Sequence, residues 1–186
     1  GRNWSEHIPF DENNLRGTCS REPIVELEDG SLLLSVYQGA PQRTDEALLL
    51  RSFDMGKSWG DATLIVSDPD GFRGQHYGIN YNETAVLNLG GGELIAMIRS
   101  DGSFQSEEGE HIQVGGIGEL MISRTFDSGL SWYPPTPSGV WGQPAHLQRL
   151  NDGRILCTYG YRKKPYGIRM TLSTDRGHSW SDPIIL

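Results

Sequence analysis

The residues able to do chemistry gather between the apolar runs of this sequence. Arg21, Arg43, Asp45, Arg73, His76, Tyr77, Glu83, Arg99, Asp101, His146, Tyr161, Arg162 and Tyr166 all fall in or beside such intervening segments. A guanidinium fork matches the two oxygens of a carboxylate through parallel hydrogen bonds, so Arg21, Arg99 and Arg162 are candidates to hold an anionic group. Asp45 and Glu83 are candidate carboxyl groups for acid/base work, Glu83 serving as acid, base or partner to a tyrosine. The segment TYGYRKKPYGIR (158–169) sets three tyrosines among four basic residues. Aromatic faces stack on sugar rings and cations bind acidic groups, which makes Tyr161 and Arg162 candidate saccharide contacts. His146, two residues beyond Pro144, is a further candidate for the same mouth. Each has a plainer alternative: ion pairing for the arginines, a solvated turn for Asp45 and for Lys163 with Lys164, and a hydrogen-bonded structural role for His146.

The elements that must position these groups come from a repeat. The phrase [ST]-x-D-x-G-x-S-W occurs as SFDMGKSW (52–59), TFDSGLSW (125–132) and STDRGHSW (173–180), and GRNW (1–4) has the form of the tail of a fourth copy. Between the copies stand LEDGSL (27–32), LGGGEL (89–94) and LNDGRI (150–155), each a turn between apolar runs in which glycine can take the positive φ of a tight hairpin. Each unit therefore reads as four strands: 23–28, 31–38, 46–52 and 62–66; then 84–89, 93–99, 118–124 and a proline-rich fourth at 133–137; then 145–150, 154–160, 168–173 and 183–186. Proline cannot donate to a ladder, so the 133–137 strand is expected at an outer edge. The units are approximately 5–66, 67–137 and 138–186, within one domain spanning 1–186.

In the repeated phrase the aspartate can accept hydrogen bonds from turn N–H groups, the glycine supplies a left-handed position and the tryptophan covers the sheet end. One acidic residue per turn is too few for the roughly 6–8 oxygens that calcium takes, so a structural staple is expected and no metal site. Antiparallel four-stranded units put both kinds of glycine turn at one end. The longer second-to-third and unit-to-unit segments then lie at the other end, with the candidate side chains.

Composition narrows the partners. The chain has 186 residues and a formal charge of −8, with no broad basic surface of the kind that neutralises nucleic-acid phosphates. No apolar run approaches the roughly 18 residues of a membrane span. Two cysteines, Cys19 and Cys157, are too few for a disulfide framework or a four-ligand zinc site and are expected as two buried thiols. No cofactor is indicated.

Four-stranded sheets repeating with one signature each are the mark of an all-β propeller. The repeated phrase resembles the Asp-box, or BNR repeat, of the sialidase (neuraminidase) superfamily. That resemblance implies six blades, of which this chain would supply about three. It also implies self-association through open blade edges if the half-ring stands alone. In the family an arginine within an R-I-P phrase at the start of an innermost strand helps bind the substrate carboxylate; Arg21-Glu22-Pro23 is similar, with Glu in the middle. An acid/base aspartate follows the second strand of that blade, and Asp45 is the match. Sialidases use a tyrosine nucleophile activated by a glutamate, and Tyr77 and Tyr161 are available here. The implied activity is a sialidase-like glycoside hydrolase acting on a terminal sugar, acidic or not, by general acid/base catalysis. Because Asp-boxes also occur in propellers without that activity, the alternative is a non-catalytic propeller that binds a saccharide or a protein.

Overall fold

Strands β2 (Leu32–Gln38, LLLSVYQ) and β3 (Glu46–Ser52, EALLLRS) contain no exposed position. Near-continuous apolar runs of this kind belong to strands covered on both faces. The computed structural model describes residues 3–4, 6, 18–38, 44–68, 78–105, 111–114 and 118–186. Among them β1 (Val25–Glu26) and β4 (Gly60–Val66) complete a first antiparallel sheet in the order β1-β2-β3-β4. The second sheet holds β5 (Gly78–Gly90), β6 (Glu93–Gln105), β8 (Glu119–Thr125) and β9 (Thr136–Trp141), with β7 (His111–Val114) paired to the far end of β6. The third runs β10 (Ala145–Arg149), β11 (Ile155–Tyr161), β12 (Gly167–Ser173) and β13 (Ile184–Ile185). No helix occurs among the described residues.

The second sheet is the filling of a sandwich. Along β6, Leu94, Ala96 and Ile98 turn toward Leu33, Ala47 and Leu49 of the first sheet, whereas Ile95 and Met97 turn toward Leu147, Ile155 and Cys157 of the third. Side chains alternate across a strand, so one strand feeds both inter-sheet cores. Truncating Leu49, 2 % exposed, would open a cavity in the first of them at a cost of about 2–5 kcal/mol.

The Asp-boxes are staples, as expected. Asp54 accepts from Ser58 N (2.8 Å) and Ser52 Oγ (2.8 Å); Asp127 from Leu130 N (2.9 Å) and Ser131 N (3.0 Å); Asp175 from His178 N (3.1 Å) and Ser179 N (2.9 Å). The residue after each aspartate and the glycine beyond it both have positive φ: Met55 and Gly56, Ser128 and Gly129, Arg176 and Gly177. Each of the two later boxes also reaches the preceding sheet. Arg51 Nη2 donates to Ser128 O at 2.6 Å and Arg124 Nη2 to Arg176 O at 2.9 Å. Trp59, Trp132 and Trp180 pack against the cores, while Trp4 is 87 % exposed and plays no such part.

Three expectations need correction. First, β5 starts at Gly78 rather than near residue 84, and β6 runs to Gln105 rather than ending at Arg99, so Glu83 and Asp101 stand on strands and not in loops. The pairs from Gly78↔Ser103 to Asn82↔Arg99 extend the ladder along residues 99–103 of β6, which are polar or glycine and carry no apolar signal. His146 lies within β10, as the strand read at 145–150 implies. Second, the proline-rich fourth strand is Thr136–Trp141, not 133–137; Pro134 and Pro135 precede the ladder, which starts at Ile122↔Thr136 on the outer edge. Third, Cys157 is a buried free thiol but Cys19 is exposed, because it sits beyond the packed pleats, held by a single backbone bridge to Tyr37.

Candidate active site

At the strand ends opposite the staples, the three sheets bring ionised side chains together. Glu83 occupies a register shift between Asn82 and Ala85 and has φ +35°, a left-handed conformation unusual for a glutamate. The next residue anchors the bulge: Thr84 O accepts from Ser35 Oγ of the first sheet at 2.7 Å, and Thr84 Oγ1 donates to Asn82 O at 3.3 Å. This kink aims the Glu83 carboxylate at Arg99, whose Nη1 donates to Glu83 Oε2 in a short contact. Arg99 Nε lies 2.8 Å from Asp101 Oδ2, too oblique for an aligned hydrogen bond but close enough for charge pairing.

Asp101 is 7 % exposed and multiply held: Asn82 Nδ2 donates to its Oδ2 (3.4 Å) and Gln143 Nε2 to its Oδ1 (3.1 Å). Burial by itself would lower the Arg99 pKa, but the hydrogen bond to Glu83 and the charges of Asp101 and Glu83 outweigh it and raise the value. The guanidinium is thus a permanent cation pinned between two carboxylates.

The segment leading into β1 and the third sheet close the cluster. Arg21 Nη1 donates to Glu22 Oε1 at 3.0 Å and its Nε is 3.9 Å from Glu83 Oε1. The Glu22 side chain is 5 % exposed, and His146 Nδ1 of β10 lies 3.3 Å from its Oε2. A continuous line runs from His146 on the third sheet through Glu22 and Arg21, just before β1, to Glu83, Arg99 and Asp101 on the second. It continues through Gln143, whose carbonyl accepts from Arg162 Nε at 3.0 Å.

Tyr37 stands on the face of β2 that turns to the second sheet, one pleat beyond Ser35. Burial pushes its phenol above the ordinary range, as do Cys19 and, more weakly, the charges of Glu83 and Asp45. It therefore offers a protonated hydroxyl at neutral pH. Asp45 is stitched to β5 by its backbone: its N–H donates to Asn80 Oδ1 (3.0 Å) and its carbonyl accepts from Tyr81 N (2.9 Å).

The structure thus gathers Arg21, Glu83, Arg99 and His146 into one network, with Arg162 at its edge. Asp45 adjoins it beside Tyr37, and Tyr161 stands a residue from Arg162, edge-on to Trp141 at 5.8 Å. Arg43, Arg73, His76 and Tyr77 lie outside the described residues. Sequence reasoning passed over Glu22, Tyr37, Gln143 and Trp141. The glutamate where R-I-P has an apolar residue was the one signal that pointed to Glu22. A cleft of about 550 Å³ lies at the other end, lined by Ile122, Arg124, Phe126, Tyr133, Pro134 and His178 among others. It contains no carboxylate, and Arg124 is held by Glu93 at 3.1 Å, so His178 stands there without an acidic partner among the lining residues.

Stacked four-stranded sheets with one Asp-box each, and titratable side chains at the end away from the boxes, define a β-propeller scaffold. The chain belongs to the BNR repeat-like domain family, whose profile matches residues 1–186. Among solved structures it is similar to a protein of unknown function from Dyadobacter fermentans DSM 18053, at 26 % identity and TM-score 0.70 over 91 % of this chain and 42 % of that one. It is similar in fold to the α-L-arabinanase of Penicillium chrysogenum complexed with arabinobiose (16 %, TM-score 0.64, 88 % of this chain and 49 % of that one). A Hadza microbial sialidase is a third (19 %, TM-score 0.59, 84 % and 35 %). The chain thus spans less than half the length of each. A comparison with curated proteins gave no match.

Proposed function

We propose that the chain contributes part of the active site of a glycoside hydrolase that cleaves a terminal sugar by acid/base catalysis. The observation that supports this most is the alternation of carboxylates (Glu22, Glu83, Asp101) with the guanidinium groups of Arg21 and Arg99, and with the His146 imidazole, on the segment before β1 and on β5, β6 and β10, at the end free of staples. Glu83 and Asp45 are the carboxyl groups assigned to proton transfer. One protonates the departing glycosidic oxygen while the other activates the attacking group. Tyr37 supplies a hydrogen bond from its protonated phenol, and Arg21, Arg99 and Arg162 orient the sugar. Asp101 is a positioning residue, since it acts by holding Arg99. Because Arg21 and Arg99 already face carboxylates, the arrangement suits a terminal sugar that is neutral or whose charge displaces one of those pairs.

The test is turnover of a panel of aryl glycosides, an α-L-arabinofuranoside and a sialoside among them, by the full-length protein and by Glu83→Gln. A loss of about 10²-fold or more in kcat is expected, the usual share of a positioned acid or base. Unchanged turnover would remove Glu83 from the mechanism.

One observation favours a second reading, a non-catalytic saccharide-binding propeller. Arg99 is saturated by Glu83 and Asp101, as structural ion-pair networks are. Binding on a glycan array with no sugar released would support it.

A further inference from the structure

The loop between β11 and β12 is a charge anomaly. In a chain of net charge −8, the segment 161–169 carries Arg162, Lys163, Lys164 and Arg169 and no acidic residue. The arginines of the central network and of the staples mostly face a carboxylate: Arg21 faces Glu22, Arg99 faces Glu83 and Asp101, Arg124 and Arg176 face Glu93, Arg154 faces Asp152. None of these four cations, three in the loop and Arg169 on β12, forms an ion pair with a described carboxylate. Two of them are instead fixed on aromatic rings. Lys163 Nζ stands 3.8 Å from the centroid of Trp141, and the Arg169 guanidinium 3.3 Å from that of Tyr161.

Those rings are themselves locked. Trp141 and Tyr161 meet edge to face, and Trp141 rests on Gly118, where φ is +66° and a Cβ would come within 2.0 Å of the indole. Only glycine leaves room for the ring there. Arg162 Nε is tied to Gln143 O, which joins the loop to the central network. Tyr166, at the tip of the same loop, is 69 % exposed.

A cation held over a ring has already lost much of the rotamer freedom that a surface lysine would give up on binding. Preorganised cations without a counter-ion among the described residues, with an exposed phenol ring between them in sequence, are the equipment for a sugar that carries its own negative charge. We propose that Lys163 and Arg169, set on Trp141 and Tyr161 and joined by Tyr166, form a binding subsite for an acidic saccharide unit, bearing a carboxylate or a sulfate. The anionic group lies between the cations, and the C–H face of the sugar stacks on Tyr166. Hydrolysis is not required for this binding, so its success or failure is separate from that of the hydrolase reading.

The experiment is isothermal titration of the full chain, in wild-type and Glu83→Gln forms, with trigalacturonic acid and with a carrageenan-derived sulfated tetrasaccharide. Fully methyl-esterified trigalacturonate and hexaglutamate are the controls. Saturable binding of one or both acidic saccharides is expected, the stronger one telling carboxylate from sulfate. It should weaken at least about fivefold in Lys163→Gln and in Arg169→Gln, with Tyr166→Ala losing saccharide affinity as well. Lys163 is exposed in the loop, so Lys163→Gln should keep the wild-type melting curve; Arg169 is half-buried on β12 over the Tyr161 ring, so Arg169→Gln should lower it slightly. The proposal is overturned by no binding of either acidic saccharide at low salt, by equal affinity for the methyl ester, by unaltered affinity in both Gln variants, or by equal binding of hexaglutamate, which would make the patch a site for acidic peptides.

Discussion

Replacing Gly129 by alanine tests whether the second Asp-box is a wedge between sheets as well as a staple. Its φ is +86°, and a Cβ placed there would approach Leu49 Cδ2 of the first sheet to 2.7 Å and Leu94 Cδ1 of β6 to 3.2 Å. Gly153 has nearly the same φ, +88°, but meets nothing within 4 Å. Both substitutions incur the left-handed penalty of a side chain, about 1–2 kcal/mol. Only Gly129→Ala adds overpacking, because Leu49 and Leu94 are 2 % and 0 % exposed and have little room to move, and that term is about 1–3 kcal/mol. Gly153→Ala should thus lower the urea unfolding free energy by about 1–2 kcal/mol and Gly129→Ala by about 2–5 kcal/mol. Urea titration followed by tryptophan fluorescence reads the difference, with m-values compared to confirm that the same surface unfolds. If the two variants lose the same stability, the box does not press on its neighbour and the inter-sheet contact described here is wrong.

Two further outcomes follow from the ionisation of the fold. The carboxyls of Asp54 and Asp127 are held down to about 2, the first chiefly by Ser58, the second by Ser131 and Thr125 against an opposing burial effect, and Asp175 is lowered further, mainly by Ser179. Since these folded values lie below the unfolded one near 4, their contribution is fully present above about pH 4 and is lost as pH falls toward 2. Urea midpoints measured at pH 5, 3.5 and 2.5 should drop, and the drop should flatten in the triple Asp→Asn variant; a parallel drop in both would clear the boxes of the effect. Burial pushes the Cys157 thiol up to about 12, whereas Cys19 is exposed. A thiol-reactive chromophore should accordingly label one cysteine per native chain and two in denaturant, and rapid native labelling of two would contradict the packing of the second core.

The staple end was legible from sequence because every part of it is written in residue types with one physical use. An aspartate before a glycine with a serine four positions on specifies the same set of turn hydrogen bonds three times over. The loop end was legible only in outline. Glu83, Arg99 and Asp101 were visible as charged residues near strand ends, but β5 and β6 continue past the apolar run on polar pairings such as Asn80↔Asp101. Hydrophobic periodicity is blind to strands satisfied by side-chain amides and carboxylates. Glu22 was hidden for a related reason: it is buried, and its partner His146 stands more than a hundred residues away in sequence. Contacts across a hub between the first and third units leave no local trace.

Backbone strain separates the two ends by purpose. Five non-glycine residues have positive φ among those described: Met55, Ser128 and Arg176 at the same position of the three boxes, Asp61 at the start of β4, and Glu83. The first four sit at or next to hydrogen-bonded turns at the staple end. Glu83 is the exception, in the interior of a long strand at the other end. A left-handed non-glycine residue costs about 1–3 kcal/mol and persists only where its surroundings enforce it. Here Ser35 grips the following carbonyl and Arg99 grips the carboxylate, so the bend is held from both sides. A straight ladder through residue 83 would have delivered the strand at lower cost, and the fold instead spends that stability on the direction in which one carboxylate points. Glu83→Gly should relieve the strain, offsetting part of the loss of the Arg99 contact, whereas Glu83→Val, β-branched and poorly suited to positive φ, should be less stable than Glu83→Gln in the same urea titration. If valine is tolerated as well as glutamine, the bulge is not enforced and the assignment of Glu83 to the reacting end loses its physical basis.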